Sequence, residues 1–274
     1  MKILLTGARG GVAPAVADAL QKAGHQLLRA DLKDGTNLRC AQTCRQLAGQ
    51  VQAIVHLATL GADHEEVEAN DLEVGQNLIE AATQHNLDRF LFFSSINVFG
   101  QGHWKRSKEV FEPATLPIDQ ATPCFPEDPY ARAKLMIEAA LAQSGLRHYS
   151  LRLPALWHAP HTRAYRPGWC GPLSALNVID PWNYLDIRDL CRAVTLYMGH
   201  PDPPSGVSYL TAADTTRPEP TMRLLERGLP RWVEKWSLPP ATAHSPWFCS
   251  RAFAETFGWR ARYSWRSLWK RLFP

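Results

Sequence analysis

Short apolar runs alternate with helix-periodic stretches along the first half of this chain, and that alternation leaves few folds open. Lys2 to Thr6 is an apolar run that stops at Gly7, as suits a strand buried on both faces. Gly11 to Ala23 carries Val12, Val16, Ala19 and Leu20 on one stripe, with Gly24 just past its end, and predicts a helix. Strands follow at His25 to Ala30, Ala53 to Leu57, Arg89 to Ser94 and Tyr149 to Leu153, with helices at Leu72 to His85 and Pro129 to Ala142 between them. Strands joined through helices need crossovers, and crossovers make parallel sheets. The expected fold is α/β, a Rossmann-type doubly wound parallel sheet.

Beyond Pro154 the alternation fades, although Asp186 to Met198 again has helical spacing. Of 21 prolines only Pro14 precedes residue 110, and of 10 tryptophans only Trp104 and Trp157 precede residue 160. Proline removes a backbone donor and interrupts regular elements, so the later part should be rich in loops. We therefore expect a dinucleotide-binding domain over 1–154 and a small substrate lobe over 155–274, whose 186–199 helix packs on the sheet.

The turn Gly7-Ala8-Arg9-Gly10-Gly11-Val12-Ala13 lies between the first strand and the first helix. Glycines there permit a tight turn and let backbone N–H groups approach a pyrophosphate at the helix N-terminus. Asp31 closes the second strand about 20 residues further on, where a carboxylate can accept ribose hydroxyls and repel a 2′-phosphate. The expected cofactor is NAD, with Arg9 and Lys33 close enough to Asp31 to leave NADP open.

Pro129-Tyr130-Ala131-Arg132-Ala133-Lys134 opens a helix with Tyr and Lys on one face. A phenol ionises near pH 10 and is a poor base at neutrality, but a neighbouring ammonium stabilises the phenolate and makes it a usable acid/base. Taken alone, the pair reads better as an amphipathic helix with a partly buried tyrosine and a solvated lysine. Ser94-Ser95-Ile96-Asn97-Val98-Phe99-Gly100, however, places serine hydroxyls at a strand's carboxyl end, where open α/β sheets bind ligands.

With the glycine turn, the serines, the Tyr-Lys pair, Val55-His56-Leu57-Ala58-Thr59, Asn77-Leu78-Ile79-Glu80-Ala81-Ala82, Tyr184-Leu185-Asp186-Ile187-Arg188-Asp189-Leu190 and Phe257-Gly258-Trp259, the chain resembles the extended short-chain dehydrogenase/reductase family, which contains sugar epimerases and dehydratases. The resemblance implies that Ser95, with Ser94 as its neighbour and runner-up, hydrogen-bonds the substrate oxygen. Tyr130 would transfer the proton, and Lys134 would bind the nicotinamide ribose and lower the tyrosine's pKa. Gly7, Arg9, Gly10, Gly11 and Val12 would surround the pyrophosphate, Asp31 the adenosine ribose, and Leu38 the adenine. Leu57, Ala58 and Thr59 would line the cofactor's far side.

Departures from the family pattern narrow the chemistry. Asp71, beside Asn70, stands where the family usually has Asn. Sugar dehydratases carry an acidic pair after the catalytic Ser/Thr, and here those positions are Ile96 and Asn97, which argues against dehydration. Pro154-Ala155-Leu156-Trp157 replaces the stretch in which nucleotide-sugar enzymes carry a diphosphate-holding Asn. A smaller substrate is favoured, and the chain is similar in size to the compact uronate dehydrogenases. Arg163 or Arg166 would then hold a carboxylate, in a loop that also carries His158 and His161, and Asn97 is a further candidate to contact the substrate. Trp157, Trp169 and Trp182 are candidates to stack on a sugar face, although tryptophans of a loop-rich lobe more often form its core.

Other classes lose ground. The net charge of +4 is too small to argue for nucleic acid. Arg260, Arg262, Arg266, Lys270 and Arg271, interleaved with Trp259, Tyr263, Trp265, Trp269 and Phe273, read as a terminal helix with buried aromatics and solvated cations. No apolar stretch suggests a membrane span or a leader segment, and the six cysteines show no metal-ligand spacing, so a cytoplasmic protein without a metal is expected. The leading expectation is an NAD-dependent dehydrogenase of a small carbohydrate-like molecule. The alternatives are a sugar epimerase with tightly bound NAD and a non-catalytic dinucleotide sensor. The family's pairing through two long helices implies a possible homodimer.

Overall fold

The computed structural model describes residues 1–61, 64–100, 113–157, 182–228, 230–236 and 241–266 of the 274. The strands are β1 (Lys2–Thr6), β2 (Gln26–Ala30), β3 (Ala53–His56), β4 (Arg89–Ser95), β5 (His148–Leu153), β6 (Ala155–Trp157), β7 (Tyr184–Asp186) and β8 (Gly206–Tyr209). The helices include α1 (Ala13–Lys22), α2 (Ala41–Ala48), α3 (Val67–Gln84), α4 (Pro129–Gln143) and α5 (Ile187–Gly199), followed by α6 (Thr221–Gly228), α7 (Pro230–Val233) and α8 (Arg251–Phe257). Six strands form one parallel sheet in the order β2-β1-β3-β4-β5-β8, and β6 pairs separately with β7. This is the expected Rossmann-type architecture. The order reverses between β1 and β3, and ligands of such sheets bind in the crevice outside the strand ends at that reversal.

Because β3 and β4 are buried at every position, their sequences are nearly continuous apolar runs with no alternation. One sheet face packs α1, α5 and α8 through Ile3, Leu5, Val16, Leu20, Val194 and Phe253. The other packs α2, α3 and α4 through Leu4, Ile54, Leu78, Phe90, Ile137 and Leu141. Local chemistry sets the helix ends. Pro14 stands in the first turn of α1, where its missing N–H costs nothing. Asp128 caps α4 by accepting the Ala131 N–H at 2.7 Å. Buried Arg89 donates to the carbonyls of Tyr197, Met198 and His200 at the end of α5, satisfying acceptors that a helix terminus leaves open.

Several boundaries differ from the sequence reading. α1 begins at Ala13 instead of Gly11, because residues 9–12 form the turn. α3 begins at Val67, five residues before Leu72, since Val67, Asp71, Val74 and Leu78 share its buried side. A carboxylate in that row hides the apolar period. β8 was not expected and extends the central sheet beyond β5. The terminal segment departs from a helix in its first part. From Gly258 to Ser264 the chain is irregular, because the N–H groups of Arg262 and Tyr263 go to Asp189 Oδ2, at 2.8 and 2.9 Å, instead of to carbonyls a turn back; Trp265 and Arg266 are helical, and the rest lies outside the described residues. A third apolar cluster of Ile96, Phe99, Leu116, Trp182, Tyr209, Trp247 and Phe248 lies in the loop-rich part.

Candidate active site

The crevice starts at Gly7, whose φ is +66°. A Cβ there would stand 2.8 Å from the Ala58 nitrogen, so the ends of β1 and β3 approach too closely for any other residue. Thr6 secures that approach. Its hydroxyl is hydrogen-bonded to His56 Nδ1 at 2.7 Å and accepts the Leu57 and Ala58 N–H groups at 3.2 and 3.3 Å. Burial, then the nearby Lys134 charge, push the imidazole down to about 3. His56 was a motif letter without a role in the sequence, and the structure makes it the strut of this crevice.

Gly10 closes the turn by donating to Gly7 O at 2.9 Å, and Gly10 and Gly11 are exposed. The Gly11 and Val12 amides have no acceptor among the described residues, as an anion-binding helix entrance requires. Asp31 Oδ2 accepts the Arg9 N–H at 2.8 Å and Oδ1 the Lys33 N–H at 2.9 Å. Each oxygen keeps a lone pair for a ribose hydroxyl. The Arg9 guanidinium turns to Asp34 at 3.7 Å. Leu38 is buried in the cluster with Ala30 and Cys44. These residues fit a dinucleotide: amides for the diphosphate, a carboxylate for the ribose, and no side chain in the way at Gly7.

A cleft of about 350 Å³ continues from this turn, lined among others by Val12, Leu57, Thr59, Ser95, Tyr130 and Lys134. Ser94, Ile96 and Asn97 share its wall. The two serines differ in what they can offer. Ser94 donates to Glu138 Oε1 at 2.5 Å, so its proton is committed. Ser95 Oγ accepts the Asn97 N–H at 3.1 Å and keeps its own proton for a ligand oxygen. Tyr130 is half-buried and lies 5.3 Å, ring centroid to Nζ, from Lys134. Lys134 is 1% exposed, with its ammonium 5.0 Å above the Phe92 ring and 3.8 Å from Asp71 Oδ2. Burial lowers its pKa from the ordinary lysine value and Asp71 opposes that shift.

The sequence pointed to Trp157 and Trp182 as possible sugar platforms, but both are buried. Trp157 packs against Tyr184, with ring centroids 4.5 Å apart and the planes tilted by 36°, in a small cluster with Ala212 and Trp265, whereas β6 gives the cleft Ala155 and Leu156. Trp182 meets Trp247 edge-on at 4.6 Å. Arg163, Arg166, Trp169, His158 and His161 lie outside the described residues. One arrangement was not foreseen. Arg152 in β5 grips Glu138 of α4 through three hydrogen bonds of 2.7 to 3.2 Å behind Ser94. An arginine inside an apolar strand was the available signal, because a buried guanidinium needs an anion. Among the described residues no cluster of three His, Cys, Asp or Glu could hold a metal, and no helix is long and apolar enough to cross a membrane.

Residues 3–159, more than half of the chain, match the NAD dependent epimerase/dehydratase family. The chain belongs to that family. It is 25% identical over 159 residues to a GDP-mannose 3,5-epimerase of Arabidopsis thaliana, a match that takes in 50% of this chain and 41% of that protein. In fold it is similar to the enzyme WbmG of Bordetella bronchiseptica, solved in complex with NAD, with a TM-score of 0.68 at 18% identity over 100% of this chain and 94% of that one. A mutated uronate dehydrogenase gives a TM-score of 0.65 at 18% identity, covering 99% and 84%.

Proposed function

We propose that the protein binds NAD and catalyses oxidation or reduction at a secondary alcohol carbon of a small carbohydrate-like substrate. The observation that carries this reading is the placement of Ser95, Tyr130 and Lys134 on one cleft that runs into the glycine turn. NAD, when bound, accepts or returns the hydride. Tyr130 Oη takes the alcohol proton on oxidation and gives it back on reduction. Lys134 stabilises the phenolate form of Tyr130 and offers its N–H groups to the ribose. Ser95 Oγ donates to the substrate oxygen and fixes the reacting carbon. Ile96, 1% exposed, holds no proton, so the neighbouring position cannot assist loss of water from a sugar.

Purified protein incubated with NAD and a panel of uronates, sugars and secondary alcohols should produce NADH with at least one of them. NAD binding without turnover on any member of the panel would overturn the dehydrogenase reading. Membership of the epimerase/dehydratase family favours a second reading, in which the same residues oxidise a sugar carbon and then reduce it from the opposite face. NAD that stays with the protein through purification, and isomerised sugar without net NADH, would select it. Neither class needs a new residue, since both share the proton transfer at Tyr130.

A further inference from the structure

Asp71 is 2% exposed and belongs to α3, not to the cleft wall. Each of its oxygens has work in the loop that follows β3. Oδ2 accepts the Thr59 hydroxyl at 2.5 Å, and Oδ1 accepts the Leu60 N–H and the Asn70 amide, each at 3.1 Å. Oδ2 is also 3.8 Å from Lys134 Nζ. This separation is a charge contact, not a hydrogen bond. The ammonium makes no hydrogen bond among the described residues, so its three N–H donors remain available toward the cleft it lines. A fully buried ammonium without a counter-charge would shed its proton. Asp71 supplies the charge without consuming the donors.

The close approach is built in. Gly75, one turn after Asp71, faces Ile137, three residues after Lys134, and a Cβ on Gly75 would stand 2.7 Å from the Ile137 side chain. A glycine at this point lets α3 and α4 come near enough for carboxylate and ammonium to meet. The other groups around Lys134 do not replace Asp71. His56, behind Phe92, is neutral, Tyr130 is the group to be activated, Asp128 caps the helix start, and Glu138, one turn along α4, is neutralised by Arg152.

We propose that Asp71 is a positioning residue that keeps the buried Lys134 ammonium charged with its donors free, and that separately holds, through Thr59, the loop lining the cofactor's side of the cleft. The carboxylate does so at a position where the family usually carries an uncharged amide. The inference rests on the reading of Lys134 as the cofactor-side lysine, and its test separates the two.

Two variants divide charge from tether: Asp71→Asn removes the charge, and Thr59→Val removes the hydroxyl donor while keeping the carboxylate. The titration of Lys134 is followed by NMR of 13C-labelled lysine, assigned by loss of the signal in Lys134→Arg. In Asp71→Asn the midpoint should fall by about one pH unit or more, a tenfold loss of proton affinity, and in Thr59→Val it should stay in place. NAD affinity, measured by fluorescence, should stay flat with pH in the wild type up to its Lys134 midpoint. In Asp71→Asn it should weaken at the lowered midpoint. An unchanged Lys134 midpoint in Asp71→Asn overturns the proposal. Wild-type protein that binds no NAD sinks the cofactor reading instead, while the titration still decides the role of Asp71. If Asp71→Asn does not fold, the double variant Asp71→Asn/Lys134→Met should restore folding by removing the orphaned charge; a double variant no better folded than the single one counts against the pairing.

Discussion

Two buried ion pairs hang from α4 one turn apart, and they are built to opposite specifications. Glu138 and Arg152 meet at 2.7 Å, and Ser94 and Tyr209 add hydrogen bonds to the pair. Every side-chain nitrogen and carboxylate oxygen of the two residues has a protein partner. Lys134 and Asp71 stand 3.8 Å apart, and the ammonium keeps its donors. A finished pair fixes the frame of the helix, and an unfinished one marks where a ligand is to complete the set. Desolvation makes both costly to disturb, but for different observables: stability for the first, binding and proton transfer for the second.

The largest expected effect removes the proton carrier beside the unfinished pair. Tyr130→Phe should lower turnover by roughly a hundred- to ten-thousandfold with NAD affinity nearly unchanged; steady-state rates beside a binding titration check this, and retained turnover would dissolve the functional half of the comparison. Next is Glu138→Ala, which strands Arg152 in the core and should cost about 3–5 kcal/mol of stability, read by urea denaturation. Replacing both Glu138 and Arg152 with Met should recover much of that loss, which sharpens the assignment of this pair to structure.

Gly7→Ala comes third. The positive φ costs an L-residue about 1–2 kcal/mol before the contact with Ala58 is counted, and NAD affinity should drop with it in the same binding titration. The smallest effect concerns His56. Its folded pKa, about 3, lies below the unfolded value of 6.5, so its contribution is fully present above pH 6.5. It is lost as pH falls from there toward 3, at up to about 1.4 kcal/mol per pH unit. Unfolding free energies of wild type and His56→Gln at pH 7 and pH 5 should converge at the lower pH. A gap that stays constant would show that His56 does not carry the acid sensitivity.

The Tyr130-Lys134 spacing was legible in the sequence and the two ion pairs were not, for a physical reason. Glycine turns and a Tyr-Lys spacing are local, so backbone geometry alone links them to chemistry. Glu138 and Arg152 are joined only by β5 packing under α4, and nothing local in the sequence shows that the hydroxyl of Ser94, the runner-up to Ser95, is donated to Glu138. Asp71 was visible as a departure from the family, but its meaning depended on how closely Gly75 lets α3 approach α4. Elements failed to show for related reasons. β8 has only four residues, two of them partly buried, too few for a period. The tryptophans set the later part of the chain apart in composition, yet composition does not say that Trp157 turns toward Tyr184 and away from the cleft.

The face that carries α1 has a consequence for how the chain is made. Its cover comes from α5, α8 and Trp259, so this strand-and-helix unit waits for residues far downstream in the chain before that side is dry. Asp189 fastens the join by holding the Arg262 and Tyr263 amides and, through its carbonyl, the Trp259 indole. Synthesis therefore runs well ahead of burial on that side, and a nascent chain stalled before α5 presents an apolar helix and sheet surface to whatever chaperone meets it.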